Sequence, residues 1–363
     1  MNTYQIIKGI MTIGIIIGGI DFLFNKHHSV GEKFESGFTI AGQMFLSMIG
    51  IMSIAPVIAN ILKPLIVPVF QFFDVDPAVF GMFLSIDMGG YHLAMSLADS
   101  SEVGKMIGLI TSSMFGGTLI FTIPVAAGLI KKEKLPLFNR GLLYGLIAIP
   151  IGSVIGGLLL GIGIGEVLIN NIPVIILSFI VVLGFRFHPK QTLKVFDGLG
   201  FLLTKIGIIG IILGFVTYLT EVPLISGFIP IMESMEIVCG MIIFLVGSLP
   251  IIELITKILK KPLSVIGEKF GFTVADTSGL LITMASNVPM IASIDKMSNR
   301  GIIINATWTV AISAILGSQM SFVLGIEPTC IAPFIVSKMI TGIISLFIAL
   351  FYTRGVKSAE SEL

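Results

Sequence analysis

Residues 84–95 read LSIDMGGYHLAM. A carboxylate, Asp87, stands inside an apolar run and is followed by Gly89 and Gly90, a pair that lowers the cost of leaving helical geometry. In a soluble chain such a stretch is a turn. Here the chain is 55% hydrophobic and 12% charged, with a mean hydropathy of +1.05, whereas ordinary soluble domains carry about 25% charged residues. The composition is that of an all-α polytopic membrane protein. A net charge of +1, with no basic stripe to neutralise phosphates, excludes nucleic acid as a partner.

Crossing a hydrocarbon core of roughly 30 Å takes about 20 apolar residues, and about eleven candidate segments meet that need. They are centred near residues 14, 48, 87, 118, 153, 178, 208, 246, 285, 313 and 343. The N-terminal run MNTYQIIKGIMTIGIIIGGIDFLF lacks an A-x-A-like cleavage site, so it is expected to be a retained first span. Basic residues cluster at Lys131, Lys132, Lys134 and Arg140, at Arg186, Lys190 and Lys194, and at Lys257, Lys260 and Lys261. Two spans separate neighbouring clusters, so all three are expected on the cytoplasmic side, with the N-terminus inside. Cys239 and Cys330 lie far apart beside apolar segments and suggest buried thiols, not a disulfide framework.

Two halves of the chain look like copies of one unit. PVIANILKPL at 56–65 corresponds to PIIELITKILKKPL at 250–263, and FESGFTIAG at 34–42 to MESMEIVCG at 232–240. Each block leads to an acidic helix-start signal, Asp76 or Asp276, expected to be an N-cap, and then to a long apolar segment. Repeat 1 is expected over about 1–170, a linking span over 171–196 and repeat 2 over about 197–353, all within one membrane domain. Whether the repeats are parallel or inverted depends on whether every middle segment crosses.

Register between the copies sets SIDMGGY against ASNVPM, so Asp87 faces Asn287 and the Gly89–Gly90 pair faces Pro289. Proline has no amide to donate and clashes with the carbonyl one turn earlier. Each copy is therefore expected to hold a discontinuous helix at the same depth. Non-helical backbone in a bilayer must be buried or line a wet cavity, and unwound helices of secondary transporters bind substrate near the midplane. The expected site comprises Asp87, Gly89, Gly90, Tyr91, Ser286, Asn287, Pro289, Trp308 and Glu253. Asp87 at midspan costs roughly 2.5–3.5 kcal/mol; it serves either as counter-charge to a cation or as an internally paired structural acid. Glu253 either lines the cavity or turns toward Lys257. Trp308 is either a cation–π wall or an interfacial anchor. Asp21, Glu35, Glu221, Glu233 and Glu236 are placed near outer span ends. Gly152, Gly156, Gly157, Gly161 and Gly165 form a small-residue stripe for close approach within one bundle or in a homo-oligomer.

No nucleotide-binding loop, metal spacing or nucleophile motif is present in the sequence, so an enzyme is not expected and no cofactor is implied. GGIDFLFN, GEKFESGF, IAPVIANILKPLIVPVF and above all DMGGYHLAM resemble the EutH family of ethanolamine permeases over nearly the whole chain. The resemblance implies ethanolamine as substrate and a multi-pass location in the bacterial cytoplasmic (inner) membrane. It carries over no contact residues, and the coupling ion stays open. A cation channel and a membrane scaffold or sensor for ethanolamine utilisation are the alternatives. Ethanolamine needs an acid or aromatic face for its ammonium and partners for its hydroxyl, which Asp87, Tyr91 or Trp308, and Ser286 or Asn287, respectively offer.

Overall fold

The computed structural model describes residues 3–24, 29–84, 88 and 90–353, and the regular elements among them are helical. The first half contains α1 (Thr3–Phe24), α2 (Ser29–Phe72), a 3-10 helix (Pro77–Leu84), α3 (Gly90–Leu97), α4 (Ser101–Leu129), α5 (Leu135–Leu159) and α6 (Ile164–Phe187). The second contains α7 (Pro189–Thr220), α8 (Ile231–Lys269), α9 (Val274–Ala285), α10 (Asn287–Ala292), α11 (Asn299–Ile312), α12 (Ser318–Ile326) and α13 (Pro328–Tyr352). Eight of these helices are long and apolar enough to cross a membrane. The expected segment centres near 87, 285 and 313 fall outside those eight; those at 285 and 313 stand at interruptions of the helical path, and 87 lies outside the described residues.

Two of the interrupted segments return to the side from which they start. The Asp76 carboxylate accepts the amides of Ala78 at its own helix start and of Asp99 and Ser100 after α3. Asp276 likewise accepts the amide and hydroxyl of Ser298, beyond α10. The chain between each pair is therefore a re-entrant hairpin, not the through-running broken helix expected. Length explains it: eight residues of α-helix rise only about 12 Å and twelve about 18 Å, well short of a bilayer core. We call 76–99 hairpin 1 and 274–298 hairpin 2.

The expected N-cap role holds for Asp76, which caps the 3-10 helix through Ala78. It fails for Asp276. Thr273 is the N-cap of α9, and Asp276 occupies the third helical position of a reciprocal capping box. Deeper placement frees the Asp276 carboxylate to reach Ser298 as well.

Glycines allow several close helix approaches. A Cβ on Gly14 of α1 would meet the Gly247 carbonyl of α8, and one on Gly247 would meet the Met11 carbonyl. Between α2 and α7, a Cβ on Gly50 would meet the Gly207 carbonyl, and one on Gly210 the Gly50 carbonyl. On α5, Gly141 and Gly145 sit against α11, Gly152 against Thr341 of α13, and Gly156 against Ile110 of α4. Gly152 and Gly156 thus serve contacts within the bundle, while Gly161 and Gly165 face open space. Polar contacts pin the turn after α4 to hairpin 2. Lys134 donates to the Ile294 and Asp295 carbonyls, and Lys131 pairs with Asp295 at 3.1 Å, joining the α4–α5 turn to the base of hairpin 2.

Overpacking a close helix crossing typically costs about 1–3 kcal/mol. Gly50→Val and Gly247→Val are each expected to lower the thermal unfolding midpoint of the purified protein in detergent. Gly240→Ala, whose added methyl group meets nothing within 4 Å, should leave the midpoint unchanged or raise it.

Candidate functional site

The tip of hairpin 2 follows from one proline. The ring of Pro289 conflicts with a helical carbonyl four residues back, at Ala285, and α9 ends there. Ser286 is extended (φ −164°, ψ 142°), and α10 restarts at Asn287. The break therefore lies at Ser286, not at Pro289 as expected. Pro289 sits in the first turn of α10, where a missing amide costs nothing.

A second interruption, residues 313–317 between α11 and α12, lies alongside this tip. Its amides serve hairpin 2: Ala314 donates to the Thr283 carbonyl and Leu316 to that of Met284, both at 3.0 Å. Ala314 takes a left-handed φ of +50°. Gly317 lies so close to the Ala285 carbonyl that a Cβ there would collide with it. Two irregular stretches thus satisfy one another inside the bundle, as backbone away from water requires.

Polar side chains converge around that meeting point. Asn287 is buried and donates through Nδ2 to Thr122 Oγ1 at 2.7 Å. Thr122 closes the π-helical stretch Gly117–Thr122 of α4 by donating to the Gly117 carbonyl at 2.9 Å. A second π-helical stretch, Met106–Thr111, is closed in the same way by Thr111, whose hydroxyl also bonds Ser153 of α5 at 2.8 Å. Such π turns inside α-helices recur at functional sites. Between them, Ser113 accepts Gln319 Nε2 on its carbonyl at 3.2 Å. Lys338 then donates to Gln319 Oε1 at 2.5 Å and to Ser113 Oγ at 3.3 Å, with its ammonium 5.1 Å from the Phe334 ring centroid. Two polar groups thus tie α4 to its neighbours: Asn287 with Thr122 joins it to hairpin 2, and Lys338 with Gln319 and Ser113 joins it to α12 and α13.

Lys338 is 0% exposed and lies near the middle of α13, a rare and costly place for a charge. Sequence reasoning missed it by treating basic residues only as loop markers. The signal was present: IAPFIVSKMITGIISL sets one lysine at the centre of a span.

The expected residues distribute as follows. Asp87 and Gly89 lie outside the described residues, so the approach of Asp87 to Asn287 is not described. Gly90 is the first residue of α3 and is buried. Tyr91 donates its hydroxyl to Glu327 at 3.1 Å, and Glu327 lies 3.8 Å from Lys105, so Tyr91 is engaged between hairpin 1 and the α12–α13 turn. Trp308 is buried and donates its indole N–H to the Leu280 carbonyl at 3.0 Å. The bond ties α11 to hairpin 2. Glu253 pairs with Lys257 at 3.9 Å, the second of its two readings. At the base of hairpin 1, burial pushes the Asp76 carboxyl above its ordinary range, opposed by the amides of Ala78, Ser100 and Asp99.

The apolar spans, the returning hairpins and the buried polar contacts are those of a polytopic integral membrane protein. The chain belongs to the family of the ethanolamine utilisation protein EutH, whose model matches residues 3–352. It is 36% identical to the probable ethanolamine permease EutH of Listeria monocytogenes, over 97% of this chain and 94% of that protein. It is 31% identical to the protein of the same name from Escherichia coli, over 96% and 95% of the two chains. The uncharacterized protein YxeR of Bacillus subtilis is 34% identical over 100% and 98%. No solved structure matches the chain. The family is one of permeases, not enzymes.

Removing a buried carboxylate that holds several donors leaves those donors unsatisfied, at about 1–3 kcal/mol each. Asp276→Ala is therefore expected to open the base of hairpin 2. Amide hydrogen exchange over residues 274–300 should rise at least tenfold, while exchange in α1 and α7 should stay near wild type.

Proposed function

We propose that this protein takes up ethanolamine across the bacterial cytoplasmic membrane by alternating access, at a mid-membrane site formed where hairpin 2 meets the 313–317 interruption and α4. The buried polar cluster, Asn287 with Thr122 and Lys338 with Gln319 and Ser113, carries this reading. It joins irregular backbone to polar side chains in the middle of apolar spans, the arrangement that secondary transporters use for midplane binding. Substrate identity is taken from the relatives named as ethanolamine permeases. A small amino alcohol suits a site rich in amide and hydroxyl groups, because each of its ends needs only two or three partners.

Two inverted repeats account for the path of the chain. In this reading α1–α5 form one repeat, α6 links, and α7–α13 form the other, with α11 and α12 together making one interrupted crossing. Five crossings, α2 and α4–α7, separate the start of α2 from the start of α8, and an odd number reverses the direction. Matched features support the pairing: two Asp-closed hairpins, and α1 against α8 mirrored by α7 against α2 through paired glycines. On this path all three basic clusters share one side, assigned to the cytoplasm. The N-terminus then starts outside, reversing the sequence expectation, because hairpin 1 does not cross. Asp21 and Glu35 also part from Glu221, Glu233 and Glu236, since α1 runs parallel to α8.

Counter-flow in proteoliposomes tests the activity. Labelled ethanolamine should accumulate transiently and saturably in vesicles preloaded with unlabelled substrate, and Asn287→Ala or Thr122→Val should reduce the initial rate at least tenfold without lowering yield. Substrate-independent conductance would indicate a channel instead, and no flux at all a scaffold or sensor.

For topology, single cysteines at Glu133 and Glu221 in a Cys239→Ser, Cys330→Ser background should label oppositely with an impermeant maleimide. In intact cells, Glu221→Cys should react and Glu133→Cys should not.

A further inference from the structure

His92 stands in the first turn of α3, on the returning limb of hairpin 1. Its Nε2 is buried, and no group among the described residues hydrogen-bonds it. Buried polar atoms are paired in the great majority of cases, because an unpaired one keeps the whole cost of leaving water. An apolar ring of similar shape would suit the fold at least as well, so the imidazole calls for a use outside it.

Its neighbours hold the ring without engaging that nitrogen. The Tyr91 ring centroid lies 5.2 Å away and that of Phe322 6.5 Å, both rings close to perpendicular to the imidazole. Tyr91 directs its hydroxyl to Glu327 at 3.1 Å, not to His92.

Position relates His92 to the proposed site. Hairpin 1 packs on α4 at Gly108, where a Cβ would meet the Tyr91 Cα, within the π-helical stretch Met106–Thr111. Hairpin 2 meets α4 at the other π-helical stretch, through Asn287 and Thr122. The Gln319 bond to the Ser113 carbonyl lies between the two stretches in sequence. Phe322, the aromatic neighbour of His92, follows Gln319 by three residues on α12, a spacing that sets two side chains on one helix face. Each hairpin therefore brings one polar side chain to the seam between α4 and its neighbours, Asn287 from one and His92 from the other.

On the reading of the protein as an ethanolamine permease, we propose that His92 is a substrate-binding residue that sets specificity: its Nε2 hydrogen-bonds the substrate hydroxyl. Chemistry selects that end of the molecule. A hydroxyl both donates and accepts, so it pairs with the imidazole nitrogen in either tautomer, whereas an ammonium only donates. Ethanolamine then satisfies a nitrogen that the protein alone leaves unpaired. Ethylamine has the ammonium without the hydroxyl and leaves Nε2 unpaired in the complex as well, which is how a site built around a hydroxyl rejects the analogue that lacks it.

Competition against labelled ethanolamine in proteoliposomes, with unlabelled ethanolamine and ethylamine as rivals, tests the assignment. Wild type should need at least tenfold more ethylamine than ethanolamine for half-inhibition. His92→Phe should bring the two amines within about twofold of each other, by weakening ethanolamine. Its unfolding midpoint in detergent should stay level or rise, since a buried unpaired nitrogen has been removed. His92→Gln, which keeps a polar amide near the place of Nε2, should regain part of the preference. Equal half-inhibition by the two amines in wild type would overturn the proposal and leave the permease reading intact. So would an undiminished preference in His92→Phe. A lowered midpoint in His92→Phe would mark the nitrogen as part of the fold and overturn the proposal likewise. If wild type carries no ethanolamine at all, the permease reading falls and this proposal with it.

Discussion

A peptide group that leaves the helix inside a bilayer has no water to turn to, and in this protein the surrender of helical hydrogen bonds is met from within. The interruption at Ser286 and that at 313–317 face each other, and amides of the second serve carbonyls of the first. Neither break is tenable alone, because unpaired backbone groups away from water each cost several kcal/mol. Their mutual satisfaction fixes hairpin 2 against α11 and α12, and so fixes where Asn287 meets Thr122 and where Gln319 meets Lys338. The collision that a Cβ at Gly317 would suffer with the Ala285 carbonyl shows how close that approach is.

The hairpins themselves depend on two carboxylates. Asp76 and Asp276 each gather donors from the two ends of one returning segment. This gives a short helix pair a closed base although neither limb could span a membrane. Carboxylates bonded to several amides are strong and directional. They suit a place where the chain must turn back at a fixed point, and they leave the tip to be shaped by Pro289 and its neighbours.

Around this frame the polar contacts are economical. Threonines at both π-helical stretches of α4 close the longer turns with their own hydroxyls, and each then has a partner on another element, Ser153 or Asn287. The same side chains thus repair the helix and hold the neighbouring segments. Lys338 adds a buried ammonium beside Gln319 and Ser113.

The membrane class, the positions of the eight long spans and the special character of the segments near 87 and 285 were legible in the sequence. Apolar run length and the backbone chemistry of Gly and Pro are local properties, and the bilayer imposes them directly on the chain. Asn287 was singled out through register with Asp87, and family membership was legible through motifs such as DMGGYHLAM. Lys338 was overlooked although its setting in an apolar helix was visible. What only the tertiary structure decided is where broken segments go and whom their polar groups meet. The return of hairpin 1 rests on Asp76 reaching Ser100, the break at Ser286 on amides from residues 314 and 316, and the engagement of Trp308 on a carbonyl 28 residues away. Those bonds join residues that no local pattern links, so their energies appear only once the chain has folded on itself.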